Sequence, residues 1–162
     1  DKLLPNSWVY SDEGGGRNIG EACHFYDLIL YIINDKFINI QVNSINSNYK
    51  NQKKTDNFFV SIKFRNGSTA NLNYSSAGTV NKIKEIIEIR NSNETIIMEN
   101  FQRIILIENN IKKIIYSSKF PEKGYQNQYE TFFRNLKLNK FSISLEEQIQ
   151  AMNLCFQVEE LL

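Results

Sequence analysis

One stretch of this chain gathers most of the side chains able to do chemistry: Gly14-Gly15-Gly16-Arg17-Asn18-Ile19-Gly20-Glu21-Ala22-Cys23-His24-Phe25-Tyr26-Asp27. It joins a triple-glycine loop to a helix start and holds the only histidine of the sequence. Backbone N–H groups at a helix start attract anions and polar oxygens. Arg17 would set a planar fork of donors beside them. His24 falls one turn into the helix, and Gly20, four residues earlier on the same face, leaves room above its ring. Glu21 and Asp27, each three residues from His24, are within reach as orienting carboxylates. An imidazole titrates near neutral pH, so a histidine placed this way can take and return a proton. Every feature also has a plain structural reading. Three glycines form a loop, a helix histidine packs or faces water, Arg17 is a surface charge, and Asp27 is a buried acceptor tying down the loop. The glycines do not have the spacing of a dinucleotide fingerprint. With one histidine and no H-x-H or H-E-x-x-H spacing, a metal site is not expected.

These residues need elements to position them. Ser7 to Tyr10 reads as the end of a strand. From Asn18 to Ile33 the apolar residues Ile19, Ala22, Cys23, Tyr26, Ile29, Leu30 and Ile33 recur at helical spacing, and Asn34-Asp35 ends the run. The period then changes to two. Phe37 to Asn43, Phe58 to Phe64, Ser68 to Tyr74, Lys82 to Ile89, Thr95 to Met98, Gln102 to Ile107 and Ile111 to Tyr116 read as strands. Asn66-Gly67 predicts a hairpin with a type I′ turn, and Asn109-Asn110 a second tight turn. Helical spacing returns over Tyr125 to Leu136, with Tyr129, Phe132, Phe133 and Leu136 on one side. Ser144-Leu145-Glu146-Glu147 is a capping box. It opens a last helix whose expected packing residues are Ile149, Met152, Cys155, Phe156 and Val158. Grouped strands between terminal helices imply an α+β fold, with a largely antiparallel open sheet covered by helices on one face. Both sheet faces look rich in Ile and Phe, which predicts a self-association surface or a partner domain.

Composition sets the outer limits. The 162 residues carry 19 Lys+Arg against 18 Asp+Glu, a net charge of +1 that argues against a nucleic-acid binder. Apolar residues make up 41%, which excludes a disordered tail. The longest apolar run, Leu28 to Ile33, is far too short to span a bilayer, so no membrane partner is expected. Cys23 and Cys155 lie in apolar surroundings and read as reduced core thiols of a cytoplasmic protein. No linker or repeat interrupts the chain, so residues 1–162 are expected to form a single domain. The Asp1 start suggests a piece of something longer.

The phrase from Gly14 to Leu28 resembles the first helix of the C-terminal domain in the glucose–fructose oxidoreductase/inositol dehydrogenase (Gfo/Idh/MocA) family. It is most similar to the branch reading G-G-G-R-x-x-G-E-x-C-H-F-x-D-L. Further along, Phe64-Arg65-Asn66-Gly67-Ser68 with Tyr74 and Gly78 resembles the family hairpin. Lys84 to Ile89 resembles its K-E-x-x-E strand, Glu99 to Arg103 its D-D-F-R and Lys123-Gly124-Tyr125 its K-G-H. Phe133 matches the F of the following helix, and Ser144 to Leu162 resembles the closing helix. The resemblance therefore runs in order through almost the whole chain.

The resemblance implies a fold like the C-terminal domain of glyceraldehyde-3-phosphate dehydrogenase. It also implies the substrate-binding and oligomerisation half of a two-domain oxidoreductase acting on a sugar, nucleotide-sugar or polyol hydroxyl. NAD or NADP would be bound mainly by an N-terminal Rossmann domain, so the isolated chain is expected to bind none. A homodimer or homotetramer would form through the sheet face. His24 matches the family's catalytic histidine. Arg17 and Glu21 become substrate-binding residues, and Gly14, Gly15, Gly16, Gly20 and Asp27 structural neighbours of the site. Many members carry an Asp four residues before the histidine, where this chain has Gly20; either Glu21 or the family's catalytic lysine in the N-terminal domain takes over, or the histidine serves only to bind. The alternative is a non-enzymatic domain serving assembly or ligand binding through its sheet face.

Overall fold

The computed structural model describes residues 6–11, 13–45, 53–77 and 83–162. The expected features at Gly78 and Lys82 lie outside the described residues. The contacts divide the chain into two compact units, residues 1–78 with 143–162, and 79–142, where the sequence suggested one continuous domain. Both are built on antiparallel sheets, and with their helices they make an α+β fold.

The first unit carries the site. Trp8–Tyr10 is a single 3₁₀ turn, not the expected strand end. A π-helical turn over Asn18–Ala22 runs directly into α1 (Cys23–Ile33). Asn34 closes α1 in the left-handed conformation (φ 51°), its N–H donating to the Leu30 carbonyl at 2.8 Å. This is a helix end that asparagine tolerates better than most residues. Three strands follow, β1 (Phe37–Ser44), β2 (Asn57–Phe64) and β3 (Thr69–Ser75), with β2 in the centre.

Strand period decides which face is buried. Phe58, Val60, Ile62 and Phe64 of β2 are all buried against Ala22 and Tyr26 of the first helix and Leu154, Cys155 and Val158 of α3 (Leu145–Leu161). The partly buried Ile19, Cys23, Ile29, Leu30 and Ile33 pack on the same core, as the helical spacing predicted. The opposite face of this sheet differs from expectation. Asn39, Gln41 and Asn43 flank Phe59, Ser61 and Lys63, with Asn71 and Asn73 beyond, so it is mostly polar and not rich in Ile and Phe.

The hairpin at Asn66-Gly67 forms, but only Gly67 has a positive φ (89°). The Gly67 N–H donates to the Phe64 carbonyl at 3.1 Å and the Phe64 N–H to the Ser68 carbonyl at 2.9 Å. The loop is therefore three residues long and ends in a left-handed glycine, a common alternative to type I′.

The capping box at α3 forms as read. Ser144 Oγ accepts from the Glu147 N–H at 3.2 Å, and the Glu147 carboxylate accepts from the Ser144 N–H at 2.7 Å. The buried stripe of α3 is Ala151, Leu154, Cys155 and Val158, while Ile149, Met152 and Phe156 are substantially exposed. Cys155 and Val158 lie on this face as expected, whereas Ala151 and Leu154 were not among the expected packing residues.

The second unit is a four-stranded meander of β4 (Ile86–Arg90), β5 (Glu94–Glu99), β6 (Arg103–Glu108) and β7 (Ile111–Ser117). Asn109 and Asn110 both have positive φ, 50° and 62°, as the tight-turn reading requires. Met98 and Ile105 are its buried centre. Every residue of β7 is exposed, and α2 (Tyr125–Lys137) buries none of its residues. Tyr129, Phe132, Phe133 and Leu136 all face solvent.

Candidate functional site

The glycine loop is a packing device before it is anything else. A Cβ on Gly14 would lie 2.2 Å from the Trp8 carbonyl oxygen, so only glycine fits there. Gly15 and Gly16 follow with φ of 65° and 71°, the left-handed region that glycine enters without penalty. A Cβ on Gly16 would touch Thr55 at 3.3 Å. The close approaches of this loop are thus made to its own chain. A Cβ on Gly20 would lie 3.1 Å from the Gly14 carbonyl oxygen. Gly20 lets the loop settle against the helix, which leaves little room for a side chain at that position.

Beyond the loop the helix begins as a π turn, a feature often found at functional sites. Buried Asn18 ties this turn to α3. Its Nδ2 donates to the Cys155 carbonyl at 3.1 Å and to Glu159 Oε2 at 2.8 Å, and its Oδ1 accepts from Tyr26 Oη at 2.7 Å. Burial pushes the Tyr26 phenol well above its usual range.

Arg17 does not lie on the surface. Its side chain is 4% exposed, and its Nε donates to Asp56 Oδ1 at 3.0 Å. Asp56 also accepts from Tyr10 Oη at 2.6 Å and from the Lys53 N–H at 2.9 Å. A buried carboxylate with this many donors is satisfied as an anion, the condition under which a buried ion pair is tolerated. Burial, and then the hydrogen bond to Asp56, raises the Tyr10 phenol.

From Arg17 the network continues outward. Arg17 Nη1 lies 3.4 Å from Glu21 Oε2, and the Tyr74 hydroxyl donates to the same oxygen. Burial, and then the Glu21 carboxylate, pushes the Tyr74 phenol up to about 12, so it stays a donor at neutral pH. The Tyr74 ring stacks on Phe58, its partner across β2 and β3, at 5.1 Å between centroids and 12° between planes. Glu21 is the outermost member, with its side chain 43% exposed.

The residues singled out in the sequence therefore separate. Gly14, Gly15, Gly16, Gly20 and Glu21 come together with Arg17 at the helix start. His24 is exposed one turn on, sharing an outward stripe with Gly20, Asp27 and Tyr31. Asp27 is exposed, which corrects its reading as a buried acceptor. Arg17 points into the protein, which corrects its reading as a surface charge.

Asp56, Tyr10 and Tyr74 were not among the residues the sequence marked as site residues. Asp56 follows a polar Lys-Lys-Thr segment with no periodicity to mark it. Tyr74 could have been found, since it continues the inward alternation of Ala70 and Leu72.

Among the described residues, no group of three or more His, Cys, Asp or Glu is arranged to hold a metal ion. Nor do these residues form a dinucleotide cradle: the glycine loop closes on its own backbone and Arg17 is engaged with Asp56 and Glu21. Two shallow clefts, of about 390 and 330 Å³, lie between β1 and α3, and His24 lines neither. His24 therefore sits on an open surface of the first unit. Among the described residues, no helix is long and apolar enough to cross a membrane.

The scaffold around the site is thus an antiparallel α+β fold with a glycine loop, a π-helical start and an outward histidine. Residues 2–136 match the model of the oxidoreductase family, C-terminal alpha/beta domain, and the chain belongs to that Gfo/Idh/MocA family. Among solved structures it is similar to the UDP-N-acetylglucosamine 3-dehydrogenase GnnA of Acidithiobacillus ferrooxidans. The TM-score is 0.77 at 12% identity, covering 99% of this chain and 51% of that one. It is also similar to the dehydrogenase MviM of Clostridium difficile, at TM-score 0.70 and 22% identity, covering 90% and 48%. A third is the biliverdin reductase of Synechocystis, solved with biliverdin and NADP+, at TM-score 0.69 and 16% identity, covering 98% and 51%. At these identities the likeness is one of fold. The chain spans about half the length of these structures. No curated protein sequence matches it.

Proposed function

We propose that this chain is the substrate-side half of an NAD(P)-dependent dehydrogenase acting on a hydroxyl of a sugar, nucleotide sugar or polyol. One observation carries the reading: an exposed imidazole, His24, stands one turn from a carboxylate, Glu21, that is held from beneath. NAD or NADP, bound by another domain, supplies the hydride acceptor or donor. His24 takes the hydroxyl proton as the alcohol becomes a carbonyl and returns it in the reverse direction. Glu21 accepts a hydrogen bond from the substrate, and Arg17 holds Glu21 in place without touching the substrate. The open setting of His24 suits a site closed by a second body, because a dinucleotide laid across it would exclude water.

The exposed apolar residues of the second unit support homo-oligomerisation there, through β7 and α2. Ile111, Ile114, Phe132 and Phe133 are each more than half exposed, well beyond scattered surface residues. The mostly polar sheet face of the first unit is the poorer candidate.

The test is His24→Ala in the protein that joins this chain to a dinucleotide-binding domain. Turnover should fall about 10²–10⁴-fold, the range for loss of a general acid–base group. Unchanged turnover at every pH would refute the role. The 162-residue chain alone should show no saturable NAD or NADP binding in calorimetry.

A further inference from the structure

We propose that Tyr74, at the end of β3, is a positioning residue. With Arg17, it locks the Glu21 carboxylate so that one of its oxygens stays open to a substrate hydroxyl. The proposal rests on the dehydrogenase reading above and deepens it. It brings in a residue whose strand lies far along the chain from the helix start.

The two oxygens of Glu21 are not equivalent. Oε2 receives the Tyr74 hydroxyl and lies 3.4 Å from Arg17 Nη1, whereas among the described residues Oε1 has the 3.5 Å approach of Arg17 and no hydroxyl donor. One oxygen is anchored, and the other keeps acceptor capacity on a side chain that is 43% exposed. Both anchors are themselves fixed. Tyr74 is stacked on Phe58 of the central strand, and Arg17 Nε is bonded to buried Asp56. A half-exposed glutamate on a helix would otherwise sample several rotamers. Holding it in one before substrate arrives removes that ordering cost from binding. The deletion of its hydroxyl in Tyr74→Phe keeps the stacked ring, so the variant separates positioning from packing.

The experiment has two arms. In the full 162-residue chain, NMR side-chain couplings should report one dominant Glu21 rotamer, and rotamer averaging in Tyr74→Phe. A Glu21 that stays in one rotamer in Tyr74→Phe would overturn the clamp. In the protein joined to its dinucleotide-binding domain, the probes are NAD+ with glucose and with myo-inositol. Tyr74→Phe and Glu21→Ala should both raise KM, by about five- to tenfold for the lost hydrogen bond, with a much smaller effect on kcat. A Glu21→Ala KM equal to that of the unaltered protein would overturn the substrate contact even if the clamp is present. Failure of the dehydrogenase reading looks different: His24→Ala would leave turnover unchanged while the rotamer result stood.

Discussion

Replacing Asp56 by alanine tests whether the site is built from its buried end. Asp56 and Arg17 are each only a few per cent exposed. Asp56 accepts from Arg17 at 3.0 Å, from Tyr10 at 2.6 Å and from the Lys53 backbone at 2.9 Å. Removing the carboxylate takes away the buried partner of Arg17, whose other carboxylate, Glu21, lies 3.4 Å away at the half-exposed end, and leaves the Tyr10 hydroxyl without this acceptor. Breaking one side of a buried pair costs about 3–5 kcal/mol. In a chain of this length each kcal/mol moves the melting temperature by roughly 2–4 °C, so Asp56→Ala should melt about 6–20 °C lower. The assay is thermal unfolding followed by circular dichroism, with urea titration as the equilibrium check. The double variant Asp56→Leu with Arg17→Met should recover much of the loss, because an apolar pair needs no desolvation. A single variant melting within about 2 °C of the parent, about 0.5–1 kcal/mol by the same conversion, would refute the reasoning. It would mean that Arg17 is compensated elsewhere.

Other expectations follow from the same structure. Asp27→Ala should change stability by no more than about 0.5 kcal/mol, as expected for an exposed side chain away from any network, and urea midpoints would show it. Hydrogen bonds from Ser144, side chain first and then backbone, hold the Glu147 carboxyl below its ordinary range. The stability this adds is present above the unfolded carboxylate range, near pH 4.5, and is lost as pH falls through the lower folded value. Amide exchange in the first turn of α3 should therefore quicken in acid, and Glu147→Gln should abolish that pH dependence. Burial pushes the Cys155 thiol up to about 12 and raises Cys23 too. At mildly alkaline pH a thiol reagent should modify Cys23 more slowly than a free cysteine. It should reach Cys155 only on unfolding. Immediate reaction of both would contradict this packing.

Much of the scaffold was legible because burial imposes a period. The alternation through β2 and the three-and-four spacing through α1 each have one buried face, and both were readable. The capping box and the Asn109-Asn110 turn were readable because short polar signals demand one backbone geometry. Three features were not. Half of the buried face of α3, Ala151 and Leu154, was hidden because apolar residues lie all round this helix and spacing alone does not choose among them. The polar outer face of the first sheet was obscured by the Ile and Phe of the second. Asp56 belongs to the site only because the fold brings it to Arg17, 39 positions away in sequence. The helix-start phrase marked residues that the fold does gather at the helix start, but not which way Arg17 points.

The 3.1 Å gap between the Gly14 carbonyl and the missing Cβ of Gly20 ties the helix start to the loop. A side chain at position 20 would make that carbonyl yield by a few tenths of an ångström, in a loop where a Cβ on Gly14 would already lie 2.2 Å from the Trp8 carbonyl oxygen. A substitution at the helix start should therefore be felt as far as the Trp8 turn.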